Sequence, residues 1–84
     1  MLKLMDQSLL RSQLYIDGEW VGADDGATVS VFNPATTDEI IAAADAGAAE
    51  TRRAIEAAEA AFASWRQVVA KERSVILKRW FSLI

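Results

Sequence analysis

Cysteine and histidine are both missing from the 84 residues. Without cysteine there is no disulfide, no thiolate nucleophile and no thiolate metal ligand. Without histidine the commonest general base and metal ligand is gone as well. Proline occurs once, and the four glycines, at positions 18, 22, 26 and 47, never fall into G-x-G-x-x-G or a P-loop. A phosphate cradle within this chain is therefore excluded. No apolar run approaches the roughly 20 residues of a membrane span, and Met1–Asp6 lacks the apolar core of about 7–15 residues that a secretory leader carries. These absences fit a cytoplasmic, reducing setting and exclude a membrane partner. Nine Lys plus Arg stand against twelve Asp plus Glu, for a net charge of −3. The basic residues are interspersed with acids and make no patch, so nucleic acid is excluded as a partner too.

What is present is helix and hairpin pattern. Ala54, Ile55, Ala58, Ala61, Phe62 and Trp65 recur at helical spacing, which puts them in one stripe of a helix over Ala49–Arg66. Glu50, Arg52, Arg53, Glu56, Glu59 and Arg66 fall on the other side and are expected to face water. Glu50/Arg53 and Arg52/Glu56 stand at helical pair spacing. Gly47-Ala48-Ala49 offers no side-chain oxygen to the first turn, so a frayed start is expected, offset in part by Glu50 acting on the helix dipole. A second stripe, Ile76, Leu77, Trp80, Phe81 and Ile84, predicts another helix from Ala70. The short link between the two predicts antiparallel packing, with Phe62 and Trp65 against Ile76, Leu77 and Trp80. The three tryptophans, at positions 20, 65 and 80, read as packing anchors rather than stacking platforms.

Ahead of the helices, Leu14-Tyr15-Ile16 and Glu19-Trp20-Val21 flank Asp17-Gly18, a strong signal for a two-residue hairpin turn. That register opposes Tyr15 to Trp20 and Leu14 to Val21. Gly22–Ala27 reads as a loop. Its adjacent Asp24 and Asp25 lack the further oxygen ligands a calcium loop needs, so they read as an exposed turn. Thr28–Phe32 alternates as a half-buried strand ended by Asn33-Pro34, a turn follows at Ala35–Glu39, and Ile40–Ala44 returns as its antiparallel partner. Leu2–Gln13 predicts a short helix capped by Asp6 or Ser8, with Leu9-Leu10 as its apolar contact. The fold class from the residues is α+β: a short N-terminal helix, two β-hairpins and two amphipathic helices. No Ser–His or Ser–Lys arrangement stands out, and Lys71/Ser74 on one helix reads as a solvated face. No catalytic and no cofactor-binding residue is assigned.

Tyr15-Ile16-Asp17-Gly18-Glu19-Trp20, Phe32-Asn33-Pro34-Ala35-Thr36, Gly47 with Glu50-Thr51-Arg52, and Trp65-Arg66 with Ala70-Lys71-Glu72-Arg73 together resemble the N-terminal segment of aldehyde dehydrogenases. Within that superfamily the bacterial succinate-semialdehyde dehydrogenases are the nearest likeness. The resemblance implies that residues 1–84 are the leading part of an α/β, Rossmann-like cofactor-binding domain. It also implies a parent enzyme that uses NAD or NADP to oxidise an aldehyde, succinate semialdehyde in the subfamily, to the acid through a Cys nucleophile and a Glu-assisted water. None of those groups is among these residues, so the segment is expected to be structural and inactive alone. Its partner would be the remainder of such a chain, in a homo-oligomer. Some members hold a monovalent cation through main-chain carbonyls just before the Asn-Pro, which would correspond to Val31 and Phe32. One departure is Ala49, where relatives commonly carry Asp or Ser. The uncapped apolar end at Ile84 reads as the front of a longer protein. The rival expectation is a self-contained helix-hairpin interaction module that uses its exposed stripes to bind a partner.

Overall fold

The computed structural model describes residues 3–84. Leu2, at the head of the expected N-terminal helix, lies outside the described residues. Of that helix a single 3₁₀ turn forms, Gln7–Leu9. Asp6 caps it: the Ser8 N–H and Ser8 Oγ both donate to Asp6 Oδ1, at 3.0 and 2.6 Å. Leu9 stays exposed, and one or two helical turns that bury no apolar side chain are marginal in water.

Strands β1 (Leu14–Ile16) and β2 (Glu19–Val21) pair antiparallel in the register that the Asp-Gly turn dictates: Leu14 with Val21, Tyr15 with Trp20, Ile16 with Glu19. Asp17 at φ 50° and Gly18 at φ 78° are both left-handed, the requirement of a type I′ turn whose twist matches that of the strands. Tyr15 and Trp20 meet on the outer face with ring centroids 4.9 Å apart, and the Arg11 guanidinium lies 4.7 Å from the Trp20 ring. Such aromatic and cation–π contacts each contribute about 0.5–1 kcal/mol at an exposed site.

Strands β3 (Thr28–Phe32) and β4 (Glu39–Ala44) form a second antiparallel hairpin. Pairing runs from Thr28 with Ala44 to Val31 with Ile41, then shifts so that Phe32 opposes Glu39. Ile40 is thus the extra residue of a bulge in β4. The connecting turn closes on Asn33, whose carbonyl accepts from the Thr37 N–H and whose side chain accepts from the Ala35 N–H, at 2.7 and 2.9 Å. The expectation of a half-buried β3 fails, because every residue of the strand is exposed and, among the described residues, β4 is the one element that packs extensively with it. The Asp45 N–H donates to the Ala27 carbonyl at 2.9 Å and extends this ladder by one pair, while the Ala44 N–H donates to the Ser12 carbonyl at 2.8 Å and ties the second hairpin to the base of the first.

Helices α1 (Ala48–Trp65) and α2 (Ala70–Leu83) follow. The start of α1 is not frayed. Gly47 is the N-cap and Glu50 therefore stands at N3, where its Oε2 accepts from the Gly47 N–H at 3.0 Å. This is the carboxylate half of a capping box, the other half being impossible for glycine. The side of α1 that meets β1 is the Glu50–Ala54–Ala57 line, and alanine lets the helix come close to the apolar face of the hairpin. The bulkier stripe stays open, with Ile55 and Phe62 63% and 58% exposed.

The expected packing of α1 on α2 is not found. The Arg66–Val69 link turns the chain through an elbow, with the Gln67 N–H on the Ser64 carbonyl and the Val68 N–H on the Trp65 carbonyl, and α2 leaves without lying along α1. Only at the elbow do Trp65, Leu77 and Phe81 share the wall of an open cleft. Ile76, Leu77 and Trp80 remain exposed, Trp80 by 63%. The result is an open shape of 46 × 33 × 19 Å. Its radius of gyration is 16.6 Å, against about 12 Å for a compact chain of this length. Its accessible surface is 7226 Å², against roughly 4,900 Å² for a compact monomer of this mass. None of the described apolar side chains is fully buried.

Candidate functional site

The polar groups gather at the foot of α1. Glu50 is 5% exposed and is the one fully buried residue among those described, which corrects the expectation that it faces water. Its Oε2 takes the Gly47 N–H and also, at 3.4 Å, the Asp24 N–H from the loop after β2. Arg53, one turn on, reaches the same loop and donates through both terminal nitrogens to the two Asp24 carboxylate oxygens, each at 2.8 Å. Arg53 thus pairs with Asp24, 29 positions away, instead of Glu50, and no Arg52–Glu56 bridge forms among the described residues. The adjacent Asp25 accepts from the Ala27 N–H at 2.9 Å, and Gly26, at φ 74°, donates to the Ala23 carbonyl. The Asp-Asp-Gly turn is therefore a turn, as its sequence indicates, but its first carboxylate is half of a bidentate ion pair.

Charge follows from this geometry. The hydrogen bonds from Arg53 hold the Asp24 carboxyl below its usual range, and the same bonds to Asp24 raise the Arg53 guanidinium. At Asp6 the Ser8 hydroxyl and N–H do the same to an unrelated carboxyl. The tie is open to solvent, with the Arg53 and Asp24 side chains 46% and 54% exposed. Its effect is to fix the loop to the helix; it activates no nucleophile.

The N-terminus of α1 would be the natural anion site, but Glu50 already fills it, and Asp24, Asp25 and Asp45 line the same shallow depression. A second depression, between β1–β2 and α1, is walled by Asp17, Glu19 and Glu56 with Arg53 as its one cation. Neither has the glycine-rich backbone that lets phosphate approach. Among the described residues no three acidic side chains converge as a metal site. Val31 and Phe32 sit on β3 where the register shifts. No helix among the described residues is long and apolar enough to cross a membrane.

Sequence reasoning missed the Glu50–Asp24–Arg53 cluster. The signal was present in Gly47-Ala48-Ala49-Glu50, a Gly-x-x-Glu start, once the helix is begun one residue earlier at Ala48.

Comparison with known proteins places this geometry. The aldehyde dehydrogenase family matches residues 20–84. Glutarate-semialdehyde dehydrogenase of Pseudomonas putida is 53% identical over 99% of this chain and 17% of its own length. The NADP-named succinate-semialdehyde dehydrogenase of Escherichia coli is 46% identical over 99% and 17%. The solved succinate-semialdehyde dehydrogenase from Burkholderia pseudomallei superposes with a TM-score of 0.89 at 57% identity, covering 95% of this chain and 17% of that one. The chain therefore spans about one sixth of the length of the relatives it matches.

Proposed function

Since the chain belongs to the aldehyde dehydrogenase family, we propose that residues 1–84 are the leading, structural part of the cofactor-binding domain of an NAD- or NADP-dependent dehydrogenase. Its substrate is a semialdehyde with a terminal carboxylate, oxidised to the diacid. Succinate semialdehyde is the first choice and glutarate semialdehyde the next, after the names of the relatives. The observation that carries this reading is the superposition on a succinate-semialdehyde dehydrogenase with a TM-score of 0.89 over one sixth of that chain. A segment with about 2,300 Å² more surface than a compact monomer would expose has the form expected of a layer laid on a larger body.

In this reading the nicotinamide cofactor, the nucleophile and the general base are held elsewhere in the enzyme. The residues here supply the frame: α1 is locked to the first hairpin, and both apolar stripes are covered by the rest of a homo-oligomeric, cytoplasmic protein. The main-chain carbonyls of Val31 and Phe32 are the part of the segment from which a monovalent cation would be held. The rival reading, a free-standing interaction module, is disfavoured by the likeness in sequence along the entire chain.

The test is to express the 84 residues joined to whatever coding sequence follows in frame, and to monitor reduced nicotinamide with succinate and glutarate semialdehydes. Turnover is expected from that product and none from the 84 residues alone. Reduction of NAD or NADP by the 84 residues alone would overturn the structural role. A joined product that folds yet oxidises neither semialdehyde would overturn the substrate class.

A further inference from the structure

Two Asp-Gly pairs occur in the chain, Asp17-Gly18 and Asp25-Gly26, and all four residues are exposed. Asp-Gly is the dipeptide most prone to rearrange, because glycine has no Cβ to shield its nitrogen from the neighbouring carboxyl. In the rearrangement the Gly nitrogen attacks the Asp Cγ of the protonated acid, its own proton leaves, and water departs to give a five-membered succinimide. Water then reopens the ring. Attack at Cγ restores aspartate, and attack at the main-chain carbonyl carbon gives isoaspartate, with the chain now routed through the former side chain. One water is lost and one regained, so no other reactant is needed.

The structure treats the two pairs differently. At Asp25-Gly26 the nucleophile and the electrophile are both engaged: the Gly26 N–H donates to the Ala23 carbonyl at 2.9 Å, and the Asp25 carboxylate accepts from the Ala27 N–H at 2.9 Å. At Asp17-Gly18, among the described residues, no carbonyl takes the Gly18 N–H and no donor reaches the Asp17 carboxylate. Nothing lies within 4 Å of where a Gly18 Cβ would point. We propose that Asp17-Gly18, at the tip of the first hairpin, is a site of spontaneous isoaspartate formation, and that Asp25-Gly26 is protected by its turn. The rearrangement adds a carbon to the backbone of a turn that depends on two consecutive left-handed residues. It therefore loosens the Tyr15–Trp20 pair across the strands.

The chain is aged in mildly acidic buffer, with a parallel sample in concentrated urea. Each Asp-Gly peptide is then mapped by electron-transfer fragmentation, since isoaspartate has the mass of aspartate. In native buffer isoaspartate is expected at position 17 at least about fivefold faster than at position 25, the factor that breaking one ordinary hydrogen bond imposes. In urea the two rates converge, and in the native sample the near-ultraviolet dichroism of the aromatic pair falls in step with conversion at position 17. Equal native rates, faster conversion at position 25, or the same ratio in urea as in buffer would each overturn the proposal, as would no conversion at either site. The outcome is independent of any dehydrogenase activity.

Discussion

Removing the carboxylate of Glu50 separates the hydrogen bonds at the foot of α1 from everything else the helix does. In Glu50→Ala the Gly47 and Asp24 N–H groups lose their common acceptor. Leaving partly buried donors of this kind unpaired costs about 2 kcal/mol in local opening. That is about a 30-fold rise in the opening equilibrium at about 1.4 kcal/mol per factor of ten, and it is read directly as faster amide exchange at Gly47 and Asp24. The Gly47 amide, at 3.0 Å, should change more than that of Asp24, at 3.4 Å. Glu50→Gln keeps an acceptor oxygen at the N3 position and should recover more than half of the protection. Local exchange is the right assay because it needs no cooperative melt from an open fold. Wild-type exchange rates at both amides in Glu50→Ala would refute the reasoning. A Gln variant as fast as the Ala variant would show that charge, and not hydrogen bonding, holds the loop.

Three further outcomes follow. Gly18→Val forces a β-branched residue to φ 78° in open space, so the cost is purely conformational, on the order of 1–2 kcal/mol; an unchanged Tyr15–Trp20 dichroism would contradict it. The Asp24 carboxyl should titrate below its ordinary value of 3.8. A depressed folded-state pKa contributes stability that is full above the unfolded pKa and is lost as pH falls through the folded one, so the tie to Arg53 survives into acid below that value. A carboxyl carbon resonance of Asp24 moving at or above 3.8 would count against the bidentate pair. Trp80→Ala should change the 84-residue chain little, because Trp80 is 63% exposed in it. In the complete dehydrogenase proposed above it should cost roughly 3–5 kcal/mol with turnover per folded molecule unchanged; loss of turnover at wild-type stability would make Trp80 a site residue.

The first hairpin was legible down to its register, because Asp17-Gly18 admits few turns and the turn fixes the pairing. Both helices were legible to within a residue or so at their ends from their apolar period. Which face α1 would bury was not. Period marks Ala54, Ile55, Ala58, Ala61, Phe62 and Trp65 as the docking stripe, but of these only Ala54 lies on the side that meets the hairpin, where the small side chains of Ala54 and Ala57 allow a close approach. Glu50 was misplaced by the same step, since it lies on the alanine line. The two helices were expected to pack because a four-residue link brings their ends together. Proximity of ends does not fix the direction of departure, and the elbow at Arg66–Val69 turns the two stripes apart.

The ion pair between Asp24 and Arg53 also sets a topology. It closes a ring of chain whose ends are 29 positions apart, and the whole of β3–β4 lies inside that ring, between the loop and the helix it is tied to. The second hairpin is thus an excursion from a unit already closed by the first hairpin and α1. Closure entropy grows only with the logarithm of length, about 0.6 kcal/mol for each doubling. Lengthening the turn between Asn33 and Asp38 should therefore leave α1 seated on β1. The reach of that hairpin can thus change without re-engineering the start of the helix.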